Sequence, residues 1–316
     1  MTIQCESKMT IGKFYQKAVR ELKTAGIKTA ELDAKVLLKF VLENDETFLL
    51  LHPEMLLTNY QFDKLKKLLK RRKNGEPIAY LTSHKEFFGY DFVINRNVLI
   101  PRPESEFLVE QALKILKSQV PSSEFRVLDI GTGSGCIIIS LALEIEKLTS
   151  LPAYKLMSFS ASDISKKALA VAKKNYKQLI CHSVSLVDRE ESPKIRFYHS
   201  DLFSNRLLHK KYDLIIANLP YVPKSTQYSV LSTQDLKGIE FEPAEAIFAN
   251  DNGAAIIKKF LTEAKKYLNK NGTVLVELDP RNAISINNFA RKNYPTAKIE
   301  IKKDLAGLDR YLIVVN

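Results

Sequence analysis

Cysteine and histidine are scarce in this chain of 316 residues. The three cysteines, at positions 5, 136 and 181, lie far apart and form no CxxC pair. The sequence therefore indicates neither a zinc ribbon nor a disulfide framework. The five histidines, at positions 52, 84, 182, 199 and 209, show no HExxH or comparable ligand spacing. We predict no metal site from these patterns.

The chain also lacks any apolar run long enough to cross a bilayer, and its N-terminal residues lack the basic-then-apolar layout of a secretory signal. We therefore expect a cytoplasmic protein with no membrane partner. The net charge of +12 favours encounter with an acidic partner, such as RNA, a ribosome-associated factor or an acidic protein face. A lysine-rich solvated surface would give the same excess of charge.

The length predicts two domains, of which the first is helical. An apolar stripe at helical spacing, with Thr10 as N-cap and Gly26 as stop, predicts an amphipathic first helix. A second helix is predicted over 30–42, and another within the basic stretch 62–73. The lysines and arginines of that stretch are predicted to form a solvated face, or a contact for a partner or a phosphate.

Gly75 and Pro77 end the helical pattern. Aromatic and β-branched residues follow over 86–100, around the turn-like residues Asn95 and Asn97, and they predict a β-hairpin that connects the domains. The predicted division is a helical domain over 1–75, a linker with the hairpin over 76–102 and a catalytic domain over 103–316.

From position 103 onward, strand-like and helical segments alternate, which predicts a mainly parallel sheet with helices on both faces. In such sheets, ligands bind at the carboxyl ends of the strands. The predicted strands cover 125–130, 157–162, 194–199, 212–217, 273–278, 297–302 and 310–315.

A glycine-rich loop follows the first of these strands. Asp129, near the strand end, precedes Gly131, Thr132, Gly133, Ser134 and Gly135. The glycines allow a tight turn and a close approach of the backbone to a ligand. A dinucleotide site would need glycine or alanine at position 136, where this chain has Cys136. The pattern GxGxG after an acidic strand end instead predicts an S-adenosylmethionine site.

Acidic residues also end the next two strands. Asp163 is predicted to accept hydrogen bonds from both ribose hydroxyls, and it would equally suit the N-cap of the helix that starts near Ser165. Asp201 is predicted to accept from the adenine amino group, with Leu202 against the ring; a surface aspartate is the alternative. Three successive strands that end in this way favour the cofactor interpretation.

The fourth strand ends in Asn218, Leu219, Pro220 and Tyr221. An amide nitrogen is a poor nucleophile because its lone pair is delocalised, so a catalyst must hold its NH2 group in line with the methyl donor. The Asn218 side-chain oxygen and the Leu219 carbonyl oxygen would each accept one N–H. Pro220 would fix the turn, and Tyr221 would stack on the planar group. We predict these four residues as catalytic, with Asn218 also against the cofactor.

Together with other segments, these motifs resemble the release factor glutamine methyltransferase family over nearly the whole chain. The shared segments include, in family order, IPRPESE ending at Glu106, the glycine loop, SDLF from Ser200, FEP from Phe241 and DLAGLDR from Asp304. The resemblance implies an α/β fold of class I S-adenosylmethionine-dependent methyltransferases, Rossmann-like with a seven-stranded mainly parallel sheet. It also implies that the small N-terminal helical domain recognises class I peptide chain release factors.

The implied reaction transfers a methyl group from S-adenosylmethionine to the glutamine side-chain amide of the Gly-Gly-Gln loop. We expect a monomer that requires no direct nucleic-acid contact. The alternatives are a methyltransferase for a ribosomal-protein glutamine, one for an adenine amino group, and a noncatalytic protein that binds RNA or a ribosomal factor. A nucleic-acid enzyme would need a base-flipping domain, which the short helical domain argues against.

Two positions depart from the family pattern. Leu219 replaces the first proline of Asn-Pro-Pro-Tyr, and because only its carbonyl has a role there, activity should survive. Ser83 stands where the family commonly has glycine. The stretches 149–157 and 182–193 are predicted surface insertions, and 223–240 is a predicted lid. Glu104 and Glu106 are predicted to cap the start of a helix, and the alternative is that they help to shape the cofactor or linker region.

Overall fold

The protein forms two compact units in the computed structural model, which describes residues 9–118, 124–147, 156–183, 194–223 and 238–316. One unit comprises residues 9–83 with 238–241, and the other comprises the described residues from 84 to 223 with 242–316. The predicted linker limits, at 76 and 102, stay a prediction.

The predicted surface insertions, at 149–157 and 182–193, and the predicted lid, at 223–240, fall almost entirely outside the described residues. Within the described parts of the chain, no helix is both long and apolar enough to span a membrane.

Helices build the first unit. The Thr10 hydroxyl accepts a hydrogen bond from the Lys13 amide at 3.3 Å, and the first helix ends just before Gly26, whose φ is +78°. The predicted first helix and its two end signals are therefore confirmed. Its apolar stripe is buried against the neighbouring helices. The helices of this unit are α1 (Ile11–Thr24), α2 (Ala30–Leu42), α3 (Glu46–Leu51), α4 (Asn59–Lys73) and α5 (Ile78–Thr82).

Three cationic side chains at the C-terminal end of α4 form ion pairs within the helical unit. Arg72 bonds Asp33 on α2 at 2.6 Å, and both side chains are mostly buried. Lys73 bonds Glu21 on α1 at 2.7 Å, and Arg71 makes a bidentate pair with Glu76. A buried carboxylate left without its partner is costly, so the Arg72–Asp33 pair holds α4 to α2, while Arg71 binds the buried Glu76 just beyond the end of α4. Part of the basic run is thus structural.

The second unit begins with a β-hairpin of β1 (His84–Phe87) and β2 (Tyr90–Val93). Its turn is Phe88-Gly89, where both residues have positive φ, 54° and 77°, as a two-residue turn of the primed type requires. The sequence interpretation placed the turn residues at Asn95 and Asn97, and that placement is wrong. Those residues form a separate turn after the hairpin, in which the Asn97 amide donates to the Asn95 side chain.

A seven-stranded sheet is the framework of the second unit. Its order is β10-β11-β9-β6-β3-β4-β5, and β11 runs antiparallel to both neighbours while the other pairs are parallel. The sheet strands are β3 (Phe125–Ile130), β4 (Met157–Asp163), β5 (Ile195–His199), β6 (Tyr212–Ala217), β9 (Leu268–Glu277), β10 (Lys298–Lys303) and β11 (Asp309–Val315), and a short separate pair is formed by β7 (Val222–Pro223) and β8 (Phe248–Ala249). The predicted mainly parallel sheet is confirmed, and β9 starts earlier than predicted.

Helices connect these strands and bury the sheet. They are α6 (Glu106–Ser118), α7 (Cys136–Lys147), α8 (Lys166–Ser183), α9 (Ala255–Tyr267) and α10 (Ala283–Asn293). The chain passes from β3 to β4 and β5 on one side, then returns to β6 on the other side of β3. Right-handed crossovers therefore place the helices on opposite faces, and the loops after β3 and β6 diverge at the point where ligands bind in such sheets.

Candidate active site

A cavity lies at the carboxyl edge of the sheet, where the ends of β3 and β6 are neighbours. Ile130 pairs with Ala217 in the sheet register, so the glycine loop and the Asn-Leu-Pro-Tyr segment leave the sheet side by side. Both segments line the cavity, together with residues that follow β4 and β5. The topology thus brings together four of the motifs found in the sequence.

The glycine loop turns back tightly over β4. The amides of Gly131 and Thr132 both donate to the Ser162 carbonyl at 2.9 Å. Gly131 has φ of +75°, and a β-carbon there would be 2.9 Å from Leu219 Cδ2. Gly135 has φ of +82°, and a β-carbon there would be 2.7 Å from Ile139. The left-handed backbone favours glycine at both positions, and an added β-carbon would also have to displace the end of the Leu219 or the Ile139 side chain.

Most of the loop faces the cavity. Gly131, Thr132, Gly133 and Ser134 line it, whereas Gly135 lies against the helices. Asp163 also lines the cavity, and its two carboxylate oxygens accept from the Gly133 and Ser165 amides, each at 2.8 Å. Burial raises the pKa of Asp163, while these two amide bonds act in the opposite direction. Ser165 caps α8 through its own hydroxyl, so Asp163 positions the loop instead of capping that helix.

Asp129 lies behind the glycine loop. It is 1% exposed and does not line the cavity. One oxygen accepts from the Thr132 hydroxyl at 2.6 Å, and the other has no partner among the described residues. Burial raises the pKa of this carboxyl to about 7.

Asp201 and Leu202 follow β5 and both line the cavity. Asp201 is exposed and pairs with Lys259 on α9 at 3.1 Å. Leu202 is buried with φ of +46°, a conformation uncommon for a residue with a side chain. The Ser200 hydroxyl donates to the Leu202 carbonyl at 2.7 Å and holds the turn. An apolar and an acidic side chain are thus presented together at this edge.

The Asn218 amide has a fixed orientation. Its nitrogen donates to the Ser105 hydroxyl at 2.8 Å and to a Glu277 carboxylate oxygen at 3.0 Å. Because the Asn218 nitrogen donates to these two protein oxygens, the side-chain oxygen is the atom of this amide that can accept a hydrogen bond from a ligand. Asn218 lines the cavity, and so do Leu219 and Pro220.

Tyr221 does not line the cavity in this structure. Its hydroxyl donates to Glu277 at 2.9 Å. Burial raises the pKa of this hydroxyl well above its ordinary value, and the nearby Glu277 charge acts in the same direction, so the hydroxyl remains a donor. Its stacking role stays a prediction.

Several site residues were missed by sequence reasoning. Glu277 and Ser105 hold the Asn218 amide, and Glu242 accepts from the Ile100 amide at 3.0 Å and from Arg102 at 2.5 Å. A lone carboxylate at the end of the apolar strand VLVE was the available signal for Glu277. The cavity is also lined by residues that the sequence assigned to the linker, namely Asn97, Val98, Leu99, Pro101 and Arg102.

Glu106 lies in the first turn of α6, where the predicted role at a helix start places an acidic side chain, and it also contacts the linker hairpin. Its carboxylate accepts from the Phe88 amide at 3.0 Å, because the hairpin turn lies close to the start of α6. The Glu104 carbonyl accepts from the Tyr311 hydroxyl at 2.7 Å, which ties the same segment to β11.

Comparison with known proteins gives two family matches. A family model described as PrmC N-terminal domain matches residues 13–82, and one described as Methyltransferase domain matches residues 121–303. Release factor glutamine methyltransferase from Koribacter versatilis is 32% identical over 96% of this chain and 98% of that protein. The protein of the same name from Coxiella burnetii is 34% identical over 94% of this chain and 96% of that protein.

Among solved structures, the catalytic domain of hMettl16 in complex with an RNA hairpin is similar to this chain. It has a TM-score of 0.51 and 14% identity, with coverage of 82% of both chains. At that identity the likeness concerns the fold alone. Together with the methyltransferase-domain match and the sheet order, it confirms the predicted class I methyltransferase fold.

Proposed function

Because this chain belongs to the release factor glutamine methyltransferase family and is an S-adenosylmethionine-dependent methyltransferase, we propose that it methylates the glutamine of the Gly-Gly-Gln loop in class I peptide chain release factors. The methyl group goes to the side-chain amide nitrogen. The proposed enzyme is a cytoplasmic monomer whose substrate is a protein, and it requires no direct nucleic-acid contact.

The observation that carries the proposal is the fixed Asn218 amide. Its nitrogen is held by Ser105 and Glu277, so its oxygen serves as the acceptor at the cavity. A glutamine side chain presents an NH2 group with two N–H donors, and one of them matches this oxygen. The Leu219 carbonyl is the proposed second acceptor. Two acceptors hold the nitrogen in one orientation and favour the positive charge that develops on it.

The residues at the cavity suit the methyl donor. Gly131 lines the cavity with a left-handed backbone, which suits a loop whose main chain approaches a ligand closely. The Asp163 carboxylate and Leu202 line the same cavity, beside Asp201. We propose that the glycine loop and Asp163 hold the cofactor from one side, with Asp129 supporting the loop from behind through Thr132, and that Asp201 and Leu202 hold it from the other. When bound, S-adenosylmethionine supplies an electrophilic methyl group on a sulfonium.

No side chain has to remove a proton before the methyl group is transferred. The neutral NH2 group would be the nucleophile: the methyl carbon would exchange its bond to sulfur for a bond to nitrogen, leaving a thioether, and one nitrogen proton would then pass to water. The chain's own residues orient the nitrogen, accept its N–H groups and keep the neighbouring hydroxyl of Tyr221 as a donor toward Glu277. Asn218 therefore needs no general base beside it, and the carboxylates of Asp163 and Asp201 that line the cavity are assigned to the cofactor.

The proposal is tested by peptide mapping. The purified protein is incubated with S-adenosylmethionine and the release factors of its organism, and the methylated peptide is located by mass spectrometry. We expect one methyl group on the Gly-Gly-Gln glutamine. This methylation should be lost in Asn218→Ala and kept in the control variant Asn288→Ala, because Asn288 is exposed on α10. Methylation of a ribosomal-protein glutamine or of adenine would replace the proposed substrate, and cofactor binding without any transfer would indicate a binding protein.

A further inference from the structure

Glu277 is a buried carboxylate at the end of β9, beside the strand that carries Asn218. It is 1% exposed. β9 and β6 are parallel neighbours, and Ala217 pairs with Val276, so the next residues along the two strands, Asn218 and Glu277, lie side by side. An unpaired buried carboxylate is costly, and such groups persist where they are fully hydrogen-bonded.

Three donors surround this carboxylate. The Ser105 hydroxyl donates to Oε2 at 2.6 Å, the Asn218 amide donates to the same oxygen at 3.0 Å, and the Tyr221 hydroxyl donates to Oε1 at 2.9 Å. They come from three separate segments: the turn before α6, the end of β6 and the residue just before β7. The carboxylate therefore joins three segments that meet at the cavity.

Burial, hydrogen bonds and neighbouring charges act in opposite directions on the pKa of Glu277. The pKa of its carboxyl is raised overall, because burial outweighs the lowering by the bonds from Ser105 and Tyr221 and by the charge of Arg310 on β11; the charge of Glu104 also raises it. Three donors on two oxygens suit the ionised form, because a protonated carboxyl would turn one acceptor into a donor. An ionised carboxylate can only accept, so the Asn218 amide must present its nitrogen and not its oxygen.

We infer that Glu277 is a positioning residue for methyl transfer, whose carboxylate fixes the Asn218 amide in the single orientation that leaves its oxygen for the substrate N–H. The inference rests on the proposed function, because it assigns Asn218 the role of acceptor. Glu277 itself does not line the cavity, so it acts through Asn218. An amide that could flip would present a donor to the substrate's NH2 group for part of the time and would lose the bond that orients the nitrogen.

The first test is Glu277→Gln. A glutamine keeps the shape but adds a donor, so the amide at position 218 is no longer forced into one orientation. We expect kcat for the release factor to fall by at least about tenfold, the order of one lost orienting hydrogen bond to a charged group. The dissociation constant for S-adenosylmethionine should stay within about twofold, since no loop that lines the cofactor side is changed. Glu110→Gln, exposed on α6, is the matched control and should leave both values unchanged.

The second test exchanges acceptor and donor between the two positions. Asn218→Asp alone puts two carboxylates against each other and should lose most activity. The double variant Asn218→Asp with Glu277→Gln restores one donor and one acceptor across the same contact and again leaves an oxygen for the substrate. We expect it to be at least about tenfold more active than Asn218→Asp alone. A merely structural role for Glu277 predicts no such rescue.

The outcomes separate the two proposals. A wild-type protein that methylates no release factor would overturn the proposed function. An active wild type would overturn only the positioning role if Glu277→Gln kept its kcat, or if the double variant were no better than Asn218→Asp. Should Glu277→Gln fail to fold, as judged by circular dichroism, Glu277→Asp keeps the charge but withdraws the carboxylate from the Asn218 amide. It should then lower kcat by about fivefold, and an unchanged kcat in that variant would overturn the inference.

Discussion

The Leu219 side chain lies directly against Gly131, so that the motif proposed to hold the substrate touches the loop proposed to hold the cofactor. A β-carbon on Gly131 would be 2.9 Å from Leu219 Cδ2, a separation that real β-carbons almost never show. The contact exists because Ile130 and Ala217 are paired at the ends of neighbouring strands. Changes in either segment are therefore felt by the other.

We predict that Gly131→Ala weakens S-adenosylmethionine binding by at least about tenfold, which corresponds to about 1.4 kcal/mol. The added methyl group meets Leu219 and also strains a backbone at φ of +75°. Isothermal titration calorimetry measures the affinity. Gly89→Ala is the control, because Gly89 has φ of +77° with nothing within 4 Å of the added carbon. Adding Leu219→Ala should recover part of the loss, and wild-type affinity in Gly131→Ala would contradict the assignment.

Replacement of Asn218 by alanine should separate binding from turnover. We expect Asn218→Ala to lower kcat by at least about a hundredfold, the scale for removal of one group that stabilises developing charge. Cofactor affinity should remain within a few-fold, because the glycine loop and Asp163 are untouched. Radiolabelled methyl transfer and calorimetry measure the two quantities, with Asn288→Ala as the exposed control. Unchanged turnover would remove Asn218 from the proposed site.

The buried Asp129 should make stability depend on pH. Burial raises the pKa of this carboxyl from an ordinary 3.8 to about 7 in the folded protein. The folded state therefore holds a proton that the unfolded chain has released, and the stabilisation present below about pH 4 is lost as the pH rises through about 7. Asp129→Asn cannot ionise, so relative to wild type it should become more stable with rising pH. Thermal unfolding from pH 5 to 8.5 measures this, and parallel curves for the two proteins would refute it.

Ser83 departs from the family pattern at a position where glycine has a physical advantage. Its backbone is left-handed, with φ of +62° and ψ of +20°, at the C-terminal end of α5. That conformation costs a residue with a side chain on the order of 1 kcal/mol. We therefore expect Ser83→Gly to raise the free energy of unfolding by up to about 1 kcal/mol, as measured by chemical denaturation. Ser83→Ala keeps the strain and should give no gain.

The sequence predicted the strands well where they are buried apolar runs between polar loops. The bounds of β3 and β6 agree with the predicted 125–130 and 212–217. Residues such as Leu128 and Ile215 have no exposed surface, and such runs favour central parallel strands. The glycine loop and the acidic strand ends were also visible, because each is a local pattern.

What the sequence did not reveal depends on pairing between distant segments. Glu277 contacts Asn218 only because β9 lies beside β6, a relationship set by the order of the whole sheet. The hairpin turn was misplaced for another reason. Phe88 adopts φ of +54° although it is not a typical turn residue, while Asn95 and Asn97 are typical turn residues outside the hairpin.

The residues that fix the Asn218 amide, Ser105 and Glu277, belong to neither the glycine loop nor the segments after β4 and β5. A chain altered only at these positions would keep its donor site and its helical unit while it lost turnover. Under the proposed function, such a protein would still bind S-adenosylmethionine and release factors, so binding measured alone would not distinguish it from the active enzyme.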